Sequence, residues 1–363
     1  MDWRKFLMEN GFKVHGKYLI GRFPYQRSSV PLLIIDTEKN TYSDLREGRG
    51  GKIDDLIHQL KMEEPPVLDI KSPGRPSETD EMKRYKAILS DAGEFYKNNL
   101  NKRAAQYLKD RGFSLKDYDF GYAGSYGDKL YKYLIKQGHN KEDIFETKLC
   151  RLKDDKPIDV FWKRLMIPIK DSYGDTVAFG GRILEKNDDV PKYINSSESV
   201  IFRKRELLFG YDIAKTAECT SYILCEGYMD VLKMHQAGFI NAVASLGTAL
   251  TPEQCQLLKN KTKIYIMQDN DQAGINASIK AIPMLQHMGF EVHRVILPTP
   301  YKDPDEFLKE KGREELAEII HDSPDAKQFM IAHLDDIRKV VDYITYISDR
   351  KGGTAYEELI QCR

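Results

Sequence analysis

The sequence has few cysteines, no long apolar run and no excess of either charge. Its five cysteines are scattered and include no Cys-x-x-Cys pair: Cys150, Cys219, Cys225, Cys255 and Cys362. This spacing is typical neither of a disulfide scaffold nor of a cysteine-ligated zinc site. No apolar run approaches the roughly 18 residues that span a bilayer, and the N-terminus lacks the continuous apolar segment of a secretory signal. We therefore expect a cytoplasmic protein with no membrane partner.

The charges balance over the whole chain. The sequence contains 56 Lys and Arg against 56 Asp and Glu, which gives a formal net charge of +0. This balance excludes a globally basic nucleic-acid coat, but it leaves room for a local basic groove beside a local acidic site. The 363 residues, of which 41% are hydrophobic, are enough for two to three domains of about 100–200 residues each.

The N-terminal part has the pattern of a small β-rich unit. Within residues 1–62 the segment LLIIDTEKNTYSDL predicts a strand, a turn at Glu38–Asn40 and a second strand. The glycines of Gly48–Gly51 are expected to break the chain before a helical pattern begins. Residues 63–80 are rich in proline and poor in periodicity, which predicts a linker.

The rest of the chain divides into regions with different patterns of predicted helices and strands. Residues 81–215 begin with a long helical stretch and continue with strand-like runs, among them RLMIPIKD and TVAFGGRIL on either side of an SYGD turn. Residues 216–315 alternate short apolar runs with helical patterns, and Thr251 with Pro252 starts one of the helices. This alternation predicts a parallel sheet covered by helices. Residues 316–363 read as a helical segment.

Acidic residues follow three of the predicted strands of this sheet. Glu226 follows YILC, the pair Asp269 and Asp271 follows KIYIM, and the pair Asp303 and Asp305 follows EVHRVILP after a short loop. If the strands are neighbours, the carboxylates converge on one edge, repel each other and raise some of their pKa values. Hard cations such as Mg²⁺ remove that conflict. Solvated loop acids are the alternative for one such loop, but three successive loops favour a metal site.

Three segments resemble the signatures of the TOPRIM domain: CEGYMD, MQDNDQAG and KDPDEF. The form EGYMDVL, with VASLGTALT downstream, resembles the bacterial DnaG-type primases in particular. The resemblance implies an α/β fold, a Rossmann-like parallel TOPRIM sheet beside a mixed α+β core subdomain. It implies catalytic roles for Glu226, Asp269 and Asp271, and it implies that these three with Asp303 and Asp305 hold metal ions.

Other positions match the family less evenly. Asp230 matches a further acidic residue of the family. Asn270 stands where the family usually has glycine, and Gln272 stands where a basic residue is common. Neither change removes a carboxylate, but both affect the expected loop geometry and a phosphate contact.

The segments FGGRIL, PKYINS and IFRKRELLFG resemble the substrate-binding subdomain of the primase core. The charge of this region is nearly balanced, so composition alone favours a mixed solvated surface. The resemblance implies substrate-binding residues at Arg164, Arg182, Lys192, Tyr193, Asn195 and Lys204. Arg203 is a further candidate in the same segment, and Asp230 is also expected to bind substrate. YLKDRGF resembles a further family segment and makes Arg111 a weaker candidate. The paired glycines of FGGR are expected to permit a close backbone approach.

The first 60 residues resemble the zinc ribbon that begins DnaG-type primases, but the ligands are missing. The matching stretch keeps several family residues in register, yet the four ligand positions hold Phe23, Gln26, Asp44 and Glu47. A structural zinc site needs cysteine or histidine. We therefore expect a ribbon-like module without zinc, in which Phe23, Tyr25, Leu32–Ile35 and Tyr42 form a small apolar core. A chance match of a short hairpin is the alternative.

The resemblance covers roughly residues 10–340 and implies a DNA primase, which synthesises short RNA primers from NTPs on single-stranded DNA by metal-dependent nucleotidyl transfer. Two or more Mg²⁺ or Mn²⁺ ions are expected, and the resemblance implies a replicative helicase or another replisome protein as partner. A TOPRIM nuclease and a non-catalytic nucleic-acid-binding assembly factor are the alternatives. Because only a short segment follows the core, the chain is expected either to be cut at Arg363 or to be a short form from a phage, plasmid or other mobile element.

Overall fold

The computed structural model describes residues 3–9, 12–15, 18–21, 33–44, 49–53, 78–115, 118–185, 190–247 and 249–333. Most of the predicted linker and the end of the predicted C-terminal segment lie outside these residues, as do Phe23, Gln26 and Glu47. In the described part of the chain, no helix is long and apolar enough to cross a membrane.

The N-terminal module is an antiparallel meander of five strands in chain order. A short helix α1 (Trp3–Glu9) precedes the strands β1 (Lys13–His15), β2 (Tyr18–Gly21), β3 (Leu33–Asp36), β4 (Thr41–Asp44) and β5 (Arg49–Lys52). The predicted hairpin is confirmed, since Ile35 pairs with Tyr42 across β3 and β4. Asp36 closes its turn by accepting hydrogen bonds from the backbone N–H groups of Glu38 and Lys39, both at 3.0 Å.

The predicted chain break is wrong at Gly50 and Gly51, whereas Gly48 lies outside the described residues. Arg49–Lys52 forms the fifth strand and pairs antiparallel with β4, with Gly51 opposite Tyr42. Glycine weakens a strand through its conformational entropy, but it does not prevent pairing when a neighbouring strand offers partners. A small apolar core fills this module: Leu7, Phe12, Leu19, Ile35, Tyr42 and Ile53. Of the predicted apolar core, Ile35 and Tyr42 are confirmed, and Phe23, Tyr25 and Leu32 lie outside the described residues.

The long helical stretch predicted after Glu81 is two helices, α2 (Asp80–Asn98) and α3 (Lys102–Asp110). The break is set by Asn101, whose side chain accepts a hydrogen bond from the N–H of Ala104 at 2.8 Å and so caps α3. Thr79 caps α2 in the same way, by accepting from the N–H of Met82 at 3.2 Å. Helix α2 packs on the sheet that follows and supplies part of the core of this subdomain.

An antiparallel sheet follows the helices, with the strands in the order β11-β10-β9-β6. Its members are β6 (Gly121–Tyr122), β9 (Arg164–Lys170), β10 (Thr176–Ile183) and β11 (Tyr193–Asn195). The hairpin predicted around SYGD is confirmed by the pairing of β9 with β10. Between β6 and β9 lie helices α4 (Lys129–Lys136) and α5 (Lys141–Glu146) and the two-stranded sheet of β7 (Cys150–Lys153) and β8 (Lys156–Asp159).

The predicted parallel sheet is confirmed, with four strands in the order β13-β12-β14-β15 and every pairing parallel. Its strands are β12 (Ser221–Cys225), β13 (Ala242–Ala244), β14 (Lys263–Met267) and β15 (Glu291–Arg294). The helices of this unit are α6 (Tyr211–Ala214), α7 (Tyr228–Gln236), α8 (Pro252–Leu257), α9 (Gln272–His287), α10 (Pro304–His321) and α11 (Ala326–His333). Thr251 caps α8 as predicted, accepting from the N–H of Gln254 at 3.2 Å.

The antiparallel and parallel sheets share one apolar core. That core contains Leu165 and Val177 from the antiparallel sheet together with Ile223 and Met229 from the parallel unit. Asn195 of β11 also donates from Nδ2 to the carbonyl of Leu246, shortly after β13, at 3.0 Å. The carboxyl-terminal edge of the parallel sheet is therefore held next to the antiparallel sheet.

Candidate active site

The three acidic loops meet at the carboxyl-terminal edge of the parallel sheet, as the sequence predicts. Glu226 directly follows β12 and Asp269 follows the neighbouring strand β14. The backbone N–H of Asp269 donates to Oε2 of Glu226 at 3.3 Å, which joins the first two loops. The N–H of Asn270 donates to the carbonyl of Lys302 at 3.2 Å, which brings in the loop of Asp303.

The carboxylates at this edge repel each other. Burial raises the pKa of Asp269 to about 7, and the charges of Glu226, Asp303 and Asp271 add to the rise. Burial also raises the pKa of Asp230 to about 7, with Asp303 and Asp269 as the next causes. The predicted rise in pKa is confirmed for these two groups. The negative charges at this edge are therefore only partly neutralised by the neighbouring positive side chains.

Three of the acids are fixed by hydrogen bonds to helix N-termini. Oδ1 of Asp271 accepts from the N–H of Gly274 at 2.9 Å, and Oδ1 of Asp303 accepts from the N–H of Glu306 at 2.9 Å. Asp230 accepts from the N–H of Gly227 at 3.0 Å. Asp271 and Asp303 are therefore the N-caps of α9 and α10, and each keeps its second oxygen for another partner.

The loop between β14 and α9 requires glycine at position 274. A Cβ atom on Gly274 would lie 2.1 Å from the carbonyl oxygen of Asp269. Any larger residue would have to push that carbonyl, and with it the carboxylate of Asp269, out of place. The glycine of the MQDNDQAG segment thus sets the position of the acids that precede it.

The donor chemistry of the edge fits a divalent cation. Its side chains offer carboxylate oxygens, which hard cations prefer, and a cation would remove the repulsion that raises the pKa of Asp269. Glu226 and Asp271 are exposed and accessible to such an ion. In the described part of the chain, however, no three Asp, Glu, His or Cys side chains are close enough to share one ion. Binding would require small side-chain movements or coordinated water.

Asp305 differs from the other acids in its surroundings. Its side chain is buried, and one oxygen accepts a short hydrogen bond from Nη2 of Arg111 while the other lies 4.0 Å from Nζ of Lys233. Arg111 also donates to the hydroxyl of Tyr107 at 2.9 Å. Burial and the positive charges of Arg111 and Lys309 lower the pKa of Lys233, whereas Asp305 opposes that shift. A metal-binding role for Asp305 stays a prediction, because its carboxylate already has two cationic neighbours.

The sequence reasoning missed Arg294, which lies beneath the acidic edge. Its side chain is 1% exposed, and Nη2 donates to the carbonyls of Gln268 at 3.0 Å and Asp269 at 3.3 Å. Burial lowers the pKa of Arg294 to about 10, while Asp269 and Glu226 counteract the shift. The available signal was an arginine at the end of β15, directly before the apolar residues Val295–Leu297, where a charge must find partners when it is buried.

The structure places Arg164 inside the subdomain. Its side chain is 6% exposed and donates to the carbonyls of Gly181 and Pro191, each at 3.0 Å. Burial lowers its pKa. Arg164 therefore fastens the loop before β11 to strand β10, and a direct contact with substrate stays a prediction.

Arg182 and Tyr193 form a stacked pair across β10 and β11. The two residues are directly opposite in the register, and Nη1 of Arg182 donates a short hydrogen bond to the hydroxyl of Tyr193. The guanidinium lies 5.0 Å from the ring centroid of Tyr107 and 5.1 Å from that of Tyr193. Stacking between two rings fixes the plane of the guanidinium, which suits bidentate recognition of phosphate.

Asn195 connects the antiparallel sheet to the parallel unit. Its Nδ2 donates to the carbonyl of Leu246 at 3.0 Å, and its Oδ1 accepts a short hydrogen bond from the hydroxyl of Tyr228. A Cβ on Gly180 would lie 3.1 Å from the Tyr228 ring. The close approach expected at the paired glycines is therefore made to Tyr228 and, at Gly181, to Phe161 and Arg164 of the protein itself.

The remaining predicted basic residues lie at the surface. Arg203 is exposed and pairs with Glu206 at 3.2 Å. Lys192 is exposed and Lys204 is half-buried, and neither ammonium has a hydrogen bond or ion pair among the described residues. No contact within the described part of the chain joins these three side chains to the acidic edge, so their binding roles stay predictions.

Two family models match the chain. The DNA primase catalytic core, N-terminal domain, matches residues 94–215, and a Toprim-like model matches residues 223–308. The DNA primase of Aquifex aeolicus is 37% identical over 347 residues, which cover 90% of this chain and 69% of that protein. The DNA primase of Clostridium acetobutylicum is 29% identical over 360 residues, covering 92% of this chain and 60% of that protein. The chain thus spans only part of these relatives.

Solved structures agree with these matches. The zinc-binding and RNA polymerase domains of the Aquifex aeolicus primase give a TM-score of 0.64 at 32% identity, covering 96% of this chain and 88% of that one. The RNA polymerase domain of the Mycobacterium tuberculosis primase gives 0.65 at 29%, covering 77% and 97%. A DnaG primase catalytic domain bound to single-stranded DNA gives 0.63 at 29%, covering 77% and 95%. These matches do not favour a nuclease. The parallel sheet with its acidic edge and the adjoining antiparallel subdomain are the catalytic core of a primase, and the chain belongs to the family of DnaG-type DNA primases.

Proposed function

We propose that this chain synthesises short RNA primers on a single-stranded DNA template. One observation carries the proposal: the acids of three loops converge at one sheet edge, and that edge adjoins a subdomain whose Arg182 is oriented between two aromatic rings. Membership in the DnaG-type family and the similarity to a catalytic domain bound to single-stranded DNA support it.

Glu226, Asp269, Asp271 and Asp303 would hold the metal ions. Bound Mg²⁺ or Mn²⁺ would supply charge stabilisation at the phosphoryl group that is transferred. The chain itself would hold these carboxylates in place. Asp271 and Asp303 are fixed as helix caps, and Arg294 holds the backbone of Asp269. Glu226 is exposed at the strand end and would accept the proton of the attacking 3′-hydroxyl.

The antiparallel subdomain would hold the phosphates of template and nucleotide. Arg182 presents a planar guanidinium, and Lys192 and Lys204 offer ammonium groups that no described residue pairs. These cations would contact phosphates without reading the base sequence. Arg164 and Asn195 would position the binding residues without contacting substrate. Arg164 fixes the loop before β11, and Asn195 fixes β11 against Tyr228. A replicative helicase as partner stays a prediction from the resemblance.

We further propose that the N-terminal module folds without zinc. Its described residues form a five-stranded sheet over six buried apolar side chains. The similar Aquifex aeolicus structure contains a zinc-binding domain. The proposal rests on the residue types at the four ligand positions, none of which is cysteine or histidine.

The test is incubation with single-stranded DNA, labelled NTPs and either Mg²⁺ or Mn²⁺. Short RNA products that require all four components are the expected result. Cut DNA without RNA would establish the nuclease, and binding without either product would establish the non-catalytic factor. Asp269→Asn is the matched control, because it preserves the shape of the side chain and removes its charge.

A further inference from the structure

A basic pocket lies along the side of the parallel unit, between the end of α3, helix α7 and helix α10. It has a volume of about 370 Å³. Its cationic lining residues are Lys109, Arg111, Lys233, Lys309 and Arg313. Because Lys233 and Gln236 lie in the second and third turns of α7, the pocket extends away from the acidic edge, which stands at the start of that helix.

The positive charge of this pocket is not balanced. Asp110 is the single acid among the described lining residues, and its carboxylate accepts a hydrogen bond from Gln106 at 2.7 Å. Lys109, Lys309 and Arg313 are exposed and have no ion pair with any residue that the structure describes. Arg111 and Lys233 share the carboxylate of Asp305, but Lys109, Lys309 and Arg313 have no such partner among the described residues, so an anion bound in the concavity would lower their mutual repulsion.

The pocket has no surface for a nucleobase. Nζ of Lys233 lies 4.5 Å from the ring centroid of Phe113, and the guanidinium of Arg313 lies 5.8 Å from that of Phe239. Both rings are covered by these cations and neither lines the pocket. The apolar lining is limited to Leu308 and Ala237. The chemistry therefore fits a compact anion with several negative charges.

We propose that this pocket binds a free phosphate anion of high charge, of which inorganic pyrophosphate is the simplest example. The pocket adjoins the acidic edge at Asp305, and the proposal does not depend on primer synthesis. The cations surround one concavity of about 370 Å³ that is partly open to solvent, and this small size favours a small anion over a length of nucleic-acid backbone.

The pocket is coupled to Asp305 through two shared cations. Arg111 and Lys233 line the pocket and are also the ionic partners of Asp305. A bound anion would compete with Asp305 for them, so anion binding and the position of this carboxylate would be linked. Removal of the Asp305 charge should therefore tighten the binding of the anion.

The test is calorimetric titration of the full chain with inorganic pyrophosphate in EDTA, without metal or NTP. The variant combines Lys309→Ala with Arg313→Ala, both of which change exposed residues that lack ion pairs. The control is Lys311→Ala, an exposed lysine of the same helix that does not line the pocket. We expect the double variant to weaken binding at least about tenfold and the control to change it less than about twofold.

Equal affinities for wild type and double variant, or no binding by the wild type, would overturn the proposal. Asp305→Asn provides an independent readout, because it should bind pyrophosphate more tightly than the wild type; unchanged affinity would refute the coupling. A single-stranded oligonucleotide is titrated in parallel. Loss of oligonucleotide binding in the double variant, without any pyrophosphate binding by the wild type, would assign the pocket to backbone phosphates and also overturn the proposal. Because no metal or NTP is present, these results are independent of the primase assay.

Discussion

Asp269 combines electrostatic repulsion by neighbouring carboxylates with a proposed metal-binding role. Its carboxyl is half-buried beside three other carboxylates, which holds its pKa near 7 against an ordinary value of 3.8. Ionisation of Asp269 therefore costs folding free energy: the cost is full above about pH 7, declines as the pH falls from the raised pKa towards 3.8, and is absent below 3.8. A bound divalent cation would relieve the same cost.

We predict that Asp269→Asn stabilises the metal-free protein at pH 8 and abolishes its stabilisation by Mg²⁺. Solvent screening reduces the effect on stability to about 1 kcal/mol. Denaturation in urea, with EDTA and with Mg²⁺, measures both changes. Glu318→Gln, at an exposed position on α10, is the control for removing one negative charge. A less stable Asp269→Asn variant in EDTA would contradict the prediction.

The same carboxylates should be needed for activity. We predict that Glu226→Gln and Asp269→Asn each lower primer synthesis by far more than tenfold, because each removes a charged ligand next to the reacting phosphate. A tenfold loss corresponds to about 1.4 kcal/mol in the barrier. Gel analysis of labelled RNA products measures the rate. If both variants keep more than a tenth of wild-type activity, the assignment of the site is wrong.

Arg294 supports the site from below. We predict that Arg294→Met, which nearly preserves the volume, lowers the free energy of unfolding by about 2–4 kcal/mol, because the carbonyls of Gln268 and Asp269 lose buried donors. Arg203→Met should cost less than about 0.5 kcal/mol, since its exposed pair with Glu206 contributes little. Urea denaturation compares the two. Similar costs for both variants would show that Arg294 does not act through burial.

At the scale of elements, the sequence predicts most of the architecture around the site. Local signals sufficed for the alternating strands and helices, for the Thr251 cap and for the hairpin at Ile35 and Tyr42, because each depends on neighbours in the chain. The strand at Arg49–Lys52 could not be predicted, since it forms only because β4 offers it a partner. Gly312 likewise breaks α10 with a φ of 84°, and nothing in the helical pattern indicates that kink.

In the candidate site, too, some features could be predicted from the sequence and others could not. The position of Glu226, Asp269 and Asp303 follows from strand order alone, since parallel strands end at one edge. The surroundings of Asp305 and Arg164 do not, because they depend on residues far apart in sequence. Arg111 and Asp305 are 194 positions apart, and only the packed structure shows that this acid is paired with an arginine.

Helices α2 and α9 each contain a glycine, but only one of these positions requires glycine. We predict that Gly274→Ala destabilises the protein by about 1–3 kcal/mol and impairs metal binding, since its Cβ would collide with the carbonyl of Asp269 at 2.1 Å. Gly93→Ala, in α2, should instead stabilise by about 0.5–1 kcal/mol, because its Cβ meets only the Phe179 ring at 3.8 Å. Thermal unfolding of both variants checks the contrast. Stabilisation by Gly274→Ala would disprove the collision.

The described part of the N-terminal module is built around a small apolar core. Its sheet encloses Leu7, Phe12, Leu19, Ile35, Tyr42 and Ile53. We predict that purified protein contains no tightly bound zinc and that its pattern of limited proteolysis is unchanged by EDTA. Ile35→Ala should open the module to protease, since it leaves a cavity in a small core. About one zinc per chain by elemental analysis, or collapse of the module in EDTA, would refute this prediction.

At the scale of the whole molecule, a formal net charge of +0 means that any attraction to nucleic acid must come from local groups. Lys192 and Lys204 are suited to this because, within the described residues, nothing pairs their ammonium groups. Each phosphate contact releases counterions and makes binding depend on salt, by a slope of about one per contact.

We predict that Lys192→Ala and Lys204→Ala each weaken binding of single-stranded DNA and reduce the slope of log K against log salt concentration by about 0.7–1. Lys311→Ala, an exposed lysine on α10, removes the same charge and should leave the slope unchanged. Fluorescence anisotropy at several salt concentrations measures all four proteins. All three variants lose one positive charge, so they have the same net charge. A smaller slope for Lys192→Ala and Lys204→Ala alone would therefore show direct contact with phosphates and not an effect of the overall charge. Equal slopes in the three variants would place both lysines on a solvated surface that the nucleic acid does not touch.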